Sequence, residues 1–244
     1  MQWTDHAFVL SARRHGEHAA LLVALSRAHG KVAGLARGGQ GRAGRGALQP
    51  GNQLQITWTA RLDEHLGRLT WEPLTAHGAL WLDDPLRLAL LGAACALVEA
   101  VLPDRAPHPA LFDGLAGLLA ALGQAEAATL YVHWEIALLA EVGYGLDLTR
   151  CAATGVAEDL IYVSPRSGRA VCRTAGEPLR DRLLPLPAFL AERRAGQGAE
   201  VGQALDMTGY FLRRCLQAQG GRPLPQARLR LAERLGSYTG QPLK

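Results

Sequence analysis

The segment Gln53-Leu54-Gln55-Ile56-Thr57-Trp58-Thr59 alternates polar and apolar residues along its whole length. A period of two is typical of a β-strand with one buried face, here at about 54–60. Four more short apolar or β-branched segments occur in the first 76 residues, at 7–12, 19–25, 31–36 and 66–74. The residues around Leu25 also fit a helix, which leaves four or five strands. Short strands without a long helix between them predict a small closed or partly open barrel, and an OB fold is the common nucleic-acid-binding solution.

Helices are predicted from Asp83 onward. Asp83 and Asp84 are suited to cap a helix, Pro85 fits its first turn, and the apolar run that follows ends at Pro103. Further helices are expected at about 109–122, 125–142, 200–219 and 225–235. Between them, the apolar segments at 160–163 and 169–172 flank a turn at 164–168 that contains proline and glycine, which predicts a β-hairpin. The expected class is α+β, with an OB-type barrel in 1–78 and a helical domain in 79–244 with a hairpin at about 150–175.

No segment has the features of a membrane span or a secretory signal. The most apolar run, from Leu88 to Leu102, contains Glu99 and is shorter than the roughly 20 residues that cross a bilayer. Asp5 and His6 lie where a signal peptide carries basic residues. The four cysteines have no framework spacing and favour reduced thiols. We therefore expect a cytoplasmic protein without a membrane partner.

The positive charge is concentrated in particular segments. Between His18 and Leu62 there is no carboxylate, yet six cationic residues occur there: Arg27, Lys31, Arg37, Arg42, Arg45 and Arg61. A second basic segment, 207–244, holds seven Lys or Arg residues against one Glu. Such segments attract a polyanion, because each neutralised phosphate releases a condensed counterion. A solvated basic surface without a ligand is the alternative.

The segment 37–46 contains five glycines and three arginines, and we expect it to be a mobile loop. Gly39, Gly41 and Gly44 have the spacing of a dinucleotide-binding fingerprint, but that motif requires a helix at the loop, and Pro50 and Gly51 follow closely. No cofactor is therefore expected. Arginines on a loop beside a barrel suit the backbone of a single strand. A variable hairpin loop without a function is the alternative.

Aromatic residues on the predicted barrel are few: Trp3, Phe8, Trp58 and Trp71. We expect most of them in the core, with Trp58 or Trp71 as candidates to stack on bases in a groove. His15, His18 and His29 are expected at the surface rather than as ligands.

Neither a metal site nor a catalytic site is expected. A structural zinc site needs four ligands, but Cys151-Ala152-Ala153-Thr154 and Cys172-Arg173-Thr174-Ala175 offer one cysteine each. Cys95 and Cys215 occur in apolar helical segments and are expected in the core. The sequence has no nucleophile-elbow, phosphate-loop or zinc-protease motif, so a binding protein rather than an enzyme is predicted. A hydrolase that uses Cys151, Cys172 or Asp159 remains the alternative.

Four stretches, in their order and spacing, resemble the RecO family of recombination mediators across nearly the whole chain. They are the strand at 7–12 followed by GKVAGLARG at 30–38, LQPG at 48–51, EIALLAEVGYGLDLTRCAATG at 135–155, and RRCLQAQGGRPL at 213–224. The resemblance implies an OB-type domain followed by a helical domain. Family members commonly carry two Cys-x-x-Cys pairs, so the hairpin region here would be a degenerate zinc-ribbon-like region that lacks half of each pair.

The resemblance also implies a function without a chemical reaction. It implies binding of single- and double-stranded DNA, annealing of complementary strands, and loading of recombinase onto strands covered by single-strand-binding protein. The implied protein partners are RecR and the acidic, Phe-terminated tail of the single-strand-binding protein. An adaptor whose barrel docks a protein without nucleic acid is the alternative.

Two sets of residues are predicted to make these contacts. The expected DNA-binding residues are Arg14, Lys31, Arg37, Arg42, Arg45 and Arg61. For the acidic tail, or for further DNA, the expected residues are Arg213, Arg214, Arg222 and Arg228. A solvated terminal helix is the alternative for this second set.

Overall fold

The structure is a computed structural model that describes residues 1–62 and 66–236. The chain forms two compact units, Met1–Leu122 and Gly123–Lys244. The predicted helical domain extends to residue 244, and its last eight residues lie outside the described residues.

The first unit begins with a closed five-stranded barrel. Its strands are β1 (Gln2–His15), β2 (Ala19–Ser26), β3 (Gly30–Arg37), β4 (Gln53–Thr59) and β5 (Gly67–Thr75). The strand order is β1-β2-β3-β5-β4, and pairing of β1 with β4 closes the barrel. Only the β3–β5 pair is parallel. The predicted OB-type barrel is confirmed, and Leu25 lies in a strand, paired with Phe8 and Lys31.

The alternating residues of β4 form part of the barrel core. Leu54, Ile56 and Trp58 are buried, whereas the polar residues between them are half-buried. They belong to the same core cluster as Val9 of β1 and Leu22 of β2. Burying an aliphatic side chain of this size contributes about 1.5–3 kcal/mol, so this face fixes the register of β4.

The second half of the glycine-rich segment 37–46 is helical rather than a mobile loop. Residues Arg42–Ala47 form a short helix, α1, between β3 and β4. The Gly41 amide donates to the Gly38 carbonyl at 3.0 Å. A Cβ on Gly44 would lie 2.4 Å from the carbonyl oxygen of Gly38. The glycines therefore allow close backbone packing, and the expectation of a mobile loop is wrong for these residues.

Two longer helices complete the first unit. A 3-10 helix (His77–Trp81) leads to α2 (Pro85–Val101) and α3 (Pro109–Ala121). The predicted cap is confirmed, since the Asp84 carboxylate accepts hydrogen bonds from the amides of Leu86 (3.1 Å) and Arg87 (3.0 Å). Both helices belong to the same compact unit as the barrel. The last strand of the barrel ends at Thr75, and α2 begins at Pro85.

The second unit combines helices with a small sheet. The helices are α4 (Ala127–Glu141), α5 (Arg173–Gly176), α6 (Ala188–Glu192), α7 (Ala199–Ala218) and α8 (Gln226–Arg234), with a 3-10 helix at Glu177–Arg182. The predicted hairpin is confirmed as β6 (Leu160–Val163) and β7 (Ala170–Cys172). A third strand, β8 (Leu184–Pro185), pairs with β6. It has two residues, which is too short to produce a periodic pattern in the sequence.

A buried ion pair joins three helices of the second unit. The guanidinium of Arg228 in α8 binds the carboxylate of Glu135 in α4, with Nη2 3.0 Å from Oε2. Nη2 also donates to the carbonyl of Leu205 at 2.8 Å, and the hydroxyl of Thr208 in α7 donates to the same carboxylate. Arg228 and Glu135 are 1% and 0% exposed.

The burial of Arg228 corrects one of the predicted contacts. Arg228, Leu231 and Ala232 are all buried, and the spacing of three and four residues places them on one face of α8. Because that face packs into the unit, Arg228 does not contribute to a basic rim at the surface. The charge count alone did not reveal this, because Glu135 is 93 residues away in the chain.

Within residues 1–62 and 66–236, none of the helices is both long enough and apolar enough to cross a membrane.

Replacing Arg228 should strongly destabilise the second unit. Arg228→Ala leaves the buried Glu135 carboxylate without its counter-ion, which we expect to lower the free energy of unfolding by about 3–5 kcal/mol. Urea unfolding monitored by far-UV circular dichroism measures the change. The control is Arg230→Ala, an exposed position on the same helix, with an expected change within about 0.5 kcal/mol. Equal effects of the two variants would contradict the role of the buried pair.

Candidate nucleic-acid interface

Four of the predicted DNA-contacting arginines lie at one end of the barrel. His15 and Arg37 both pair with Ala19, so Arg14 and Arg37 are located at the same end of β1 and β3. The amide of Gly38 donates to the carbonyl of His18 at 3.0 Å, which joins the two turns there. Helix α1 follows at once and carries Arg42 and Arg45. All four arginines are exposed.

Within residues 1–62 and 66–236, no carboxylate pairs with these arginines. None of the four forms an ion pair with another described residue, in contrast to Arg13, which lies 3.2 Å from Glu99. We call Arg14, Arg37, Arg42 and Arg45 the arginine end. Guanidinium groups present planar sets of N–H donors that match phosphate oxygens, so this end of the barrel is suited to bind a sugar–phosphate backbone.

The structure places Lys31 elsewhere and in a different role. Its ammonium group lies 3.2 Å from the Asp104 carboxylate and donates to the Glu99 carbonyl at 2.8 Å. The side chain is only 9% exposed. Lys31 therefore attaches the segment that follows α2 to the barrel and is not placed to contact a phosphate. Its partners lie about 70 residues further along the chain, beyond what the local sequence pattern can indicate.

Arg61 is exposed, but it is separate from the arginine end. It follows Ala60, whose amide donates to the carbonyl of Met1 at 3.1 Å, at the start of β1 rather than near its end. Arg68 is exposed in the same region, since it pairs with Thr59 across β4 and β5. Of the six residues predicted to contact DNA, four thus lie at the arginine end of the barrel. Arg61 lies near the start of β1, and Lys31 is buried.

A cavity of about 190 Å³ lies near the start of β1, with Trp3, His29, Trp58 and Arg105 among its lining residues. The ring centroids of Trp3 and His29 are 3.9 Å apart, and those of Trp3 and Trp58 are 5.8 Å apart, each pair with planes 15° from parallel. The Arg105 guanidinium lies 5.2 Å from the centroid of the Trp58 ring. We call this feature the aromatic cavity.

Sequence reasoning found only part of this cavity. Trp58 was a groove candidate and lines the cavity, although it is 2% exposed. Trp71 is half-buried and packs against the barrel core, and Phe8 is buried against Phe112 at 4.8 Å between ring centroids. Neither His29 nor Arg105 was predicted. In the sequence, a histidine before a turn glycine, such as His29, is only a weak indication of a binding site, and nothing in the sequence indicated Arg105.

A hydrogen-bonded carboxylate shapes the turn that carries His29. Asp5 accepts hydrogen bonds from the hydroxyl of Ser26 and from the amides of Ala28 (2.9 Å) and His6 (2.8 Å). Burial alone would raise the pKa of Asp5, but these hydrogen bonds outweigh it and hold the pKa below its ordinary value. The ionised carboxylate therefore stabilises the β2–β3 turn beside the aromatic cavity.

The arginines predicted to bind a protein partner have different environments. Arg213 and Arg222 are exposed. Arg214 is half-buried and donates to the carbonyls of Pro165 and Arg166 in the hairpin turn. Since Arg228 is buried, the residues expected to contact the acidic tail are reduced to the exposed Arg213 and Arg222 and the half-buried Arg214.

Hydrogen bonds hold the cysteine region together. The Cys172 amide donates to Cys151 Sγ at 3.3 Å, and the Thr154 hydroxyl lies 3.6 Å from Cys172 Sγ. Burial would raise the pKa of Cys151, but hydrogen bonds from Cys172 and Thr154 outweigh it and lower the pKa to about 6. Two thiols and a hydroxyl do not match the four N or S ligands of structural zinc. The described residues include no cluster of three or more His, Cys, Asp or Glu suited to a metal ion.

Two family models and several relatives match this chain along most of its length. The family model for Recombination protein O N terminal matches residues 1–76, and that for Recombination protein O C terminal matches residues 82–227. The DNA repair protein RecO of Rhodospirillum centenum is 55% identical over 236 residues, covering 96% of this chain and 94% of the relative. Those of Rhodospirillum rubrum (50% over 248 residues, 98% of each chain) and Granulibacter bethesdensis (47% over 243 residues, 98% and 97%) are similar along their lengths.

Removing the Asp5 carboxylate should destabilise the barrel in a pH-dependent way. Asp5→Ala leaves the Ser26 hydroxyl and the Ala28 amide without this acceptor, at an expected cost of about 1–3 kcal/mol near neutral pH. Because the pKa of Asp5 is lower in the folded protein than its ordinary value of 3.8, the advantage of the wild type is complete above that value. It should decrease as the pH falls through the folded pKa.

Thermal unfolding of both proteins between about pH 7 and pH 3 measures this difference. The control is Glu72→Ala, which removes an exposed carboxylate from β5. A loss of stability that is the same at every pH would show that the carboxylate charge is not involved.

Proposed function

The chain belongs to the RecO family, and we propose that it acts in DNA repair and recombination as a mediator that binds DNA without changing it chemically. In this role it binds single-stranded and double-stranded DNA, anneals complementary strands, and assists recombinase loading on strands covered by single-strand-binding protein. The relatives named DNA repair protein RecO support the role in DNA repair. The single structural observation that carries DNA binding is the arginine end of the barrel.

The arginine end supports binding to the backbone of a single strand. Three of its four exposed guanidinium groups, those of Arg37, Arg42 and Arg45, belong to the segment between His18 and Leu62, which has no carboxylate, so the local field attracts phosphate. The close packing of Gly44 against the Gly38 turn limits the freedom of α1, and less entropy is then lost when Arg42 and Arg45 bind. Contacts of this kind depend little on base sequence and strongly on salt.

Annealing follows from the same electrostatics. Two strands repel each other through their phosphates, and a cationic surface that neutralises part of this charge allows their bases to approach. Base pairing then supplies the specificity, and no bond within either strand is made or broken. A binding protein without a catalytic or cofactor site is sufficient for this function.

Protein partners are proposed for the second unit. Arg213 and Arg222 are exposed and belong to the basic C-terminal segment, which supports recognition of the acidic tail of single-strand-binding protein. RecR is the second proposed partner, through a surface that we do not assign to particular residues.

A protein-docking adaptor is the second candidate function. One observation favours it: an apolar cavity of about 420 Å³ lies between the end of α1, the 3-10 helix and α2, with Leu82, Leu88 and Leu91 among its lining residues. Leu82 is 71% exposed. An adaptor of this type would bind its protein partner without DNA and with little dependence on salt, because burial of apolar surface is not screened by ions.

Removing charge from the arginine end should weaken DNA binding. Replacing Arg37, Arg42 and Arg45 together by Gln should lower the affinity for single-stranded DNA by about tenfold or more at low salt, because three phosphate contacts are lost. The slope of log K against log salt should become shallower by about 0.7 for each contact. Fluorescence anisotropy of a labelled oligonucleotide between about 50 and 300 mM salt measures both quantities.

The matched control replaces three exposed arginines of the second unit, Arg166, Arg182 and Arg193, by Gln. This variant has the same net charge but retains the arginine end, so its affinity should stay close to that of the wild type. Absence of wild-type binding at every salt concentration would reject the proposed function. Equal losses in the two variants would assign the effect to net charge alone.

Replacing Arg213 and Arg222 by Gln should weaken binding of an acidic, Phe-terminated peptide, because two cationic contacts are removed. We expect a loss of about threefold to tenfold at low salt, measured by anisotropy of a labelled peptide. The variant in which Arg166 and Arg182 are replaced by Gln serves as the control. An unchanged affinity after removal of Arg213 and Arg222 would place the peptide elsewhere.

A further inference from the structure

Three side chains that line the aromatic cavity form a stack. Trp58, Trp3 and His29 have nearly parallel rings, with 15° between the planes of each adjacent pair. The indole of Trp58 is held in place from two sides: its Nε1 donates to the Ala33 carbonyl at 3.3 Å, and a Cβ on Gly67 would lie 2.1 Å from this nitrogen. The cavity therefore has a fixed aromatic wall, rather than one that rearranges freely.

A constrained backbone places Arg105 over this wall. Arg105 has φ of +60°, a left-handed conformation that is uncommon for residues other than glycine. Its amide donates to the Lys31 carbonyl at 2.8 Å. Such conformations persist where the surrounding contacts impose them, and they are concentrated at functional sites. Here the result is a guanidinium 5.2 Å from the Trp58 ring centroid, at the edge of the cavity.

Three contacts fix the segment that carries Arg105. The ammonium of Lys31 binds the Asp104 carboxylate at 3.2 Å and the Glu99 carbonyl at 2.8 Å. Gly30 approaches so closely that a Cβ there would lie 2.1 Å from the carbonyl oxygen of Ala106. Lys31 pairs with the Asp104 carboxylate, next to Arg105 in the chain. The cavity thus combines aromatic faces with a cation.

We propose that the aromatic cavity, formed by Trp3, His29, Trp58 and Arg105, receives one unpaired nucleobase of a bound DNA strand. Its volume of about 190 Å³ is smaller than the roughly 300–1,000 Å³ of sites that enclose a drug-sized ligand, so it fits a single planar group. Indole and imidazole rings stack on every base, and a guanidinium is attracted to an aromatic face. The exposed Arg61 and Arg68, near the start of β1, are suited to the adjoining phosphates.

This inference rests on the proposed binding of single-stranded DNA, but it concerns the bases rather than the backbone. A base held in the cavity cannot at the same time pair with another strand. The cavity would therefore hold a strand in an unpaired state at one position, while neighbouring bases remain free to pair. The affinity should then depend on the presence of bases, which contact with phosphates alone does not require.

The experiment compares two oligonucleotides of equal length on the full chain, one of thymidine and one in which every position is abasic. We expect the wild type to bind the thymidine strand about tenfold more tightly, as measured by anisotropy at moderate salt. Trp3→Leu and Arg105→Asn should reduce this ratio to nearly one and leave the affinity for the abasic strand almost unchanged. Asn tolerates the left-handed backbone at this position, which keeps the segment folded.

The chain provides a matched control in Arg193, an exposed arginine of the second unit whose φ is also positive, at +55°. Arg193→Asn repeats the same change on a similar backbone and should preserve the ratio. Equal wild-type affinities for the two strands, with strong salt dependence, would overturn the base pocket and leave the proposed function intact. Absence of binding to either strand would overturn both.

Photocrosslinking gives a second readout that does not depend on variants. A strand with one 5-iodouracil, irradiated in complex with the wild type, should crosslink to peptides that contain Trp3, His29 or Arg105. Crosslinks found only in other peptides would overturn the proposed site.

Discussion

The ammonium of Lys31, held by the Asp104 carboxylate and the Glu99 carbonyl, is the contact on which the architecture of the first unit depends. It fixes the segment after α2 against the start of β3, where Gly30 leaves room for the Ala106 carbonyl. Lys31 therefore stabilises the fold, although it lies in a basic stretch of the sequence. A largely buried ammonium is stable only beside an acceptor of opposite charge. Arg105 is placed over Trp58 as a consequence.

The two ends of the barrel present different side chains. The arginine end presents exposed guanidinium groups without described carboxylate partners, which suits the repeating phosphates of a backbone. The aromatic cavity presents stacked rings and one guanidinium, which suits a base. In the function that we propose, long-range attraction and short-range stacking are separated along β1, so that charge attracts a strand before a base is bound.

Close packing and hydrogen bonds define the chain at two other places. Gly44 fits against the Gly38 turn and gives α1 a defined position, although the composition of this segment is typical of a loop. At Cys151 and Cys172, a hydrogen bond from the Cys172 amide to Cys151 Sγ and a contact between the Thr154 hydroxyl and Cys172 Sγ connect the chain segments. In the second unit, the buried Glu135–Arg228 ion pair connects α4 with α8.

The sequence by itself determined the strands of the barrel, the capped start of α2, the hairpin and the family, since these depend on local periodicity, turn residues and motif order. Three of the residues that we propose to contact DNA, Arg37, Arg42 and Arg45, are exposed at one end of the barrel. Only the tertiary structure decided which cations are buried and which aromatic rings meet. Lys31, Arg228 and the aromatic cavity all depend on partners far away in the chain, and a local pattern carries no information about such distant contacts.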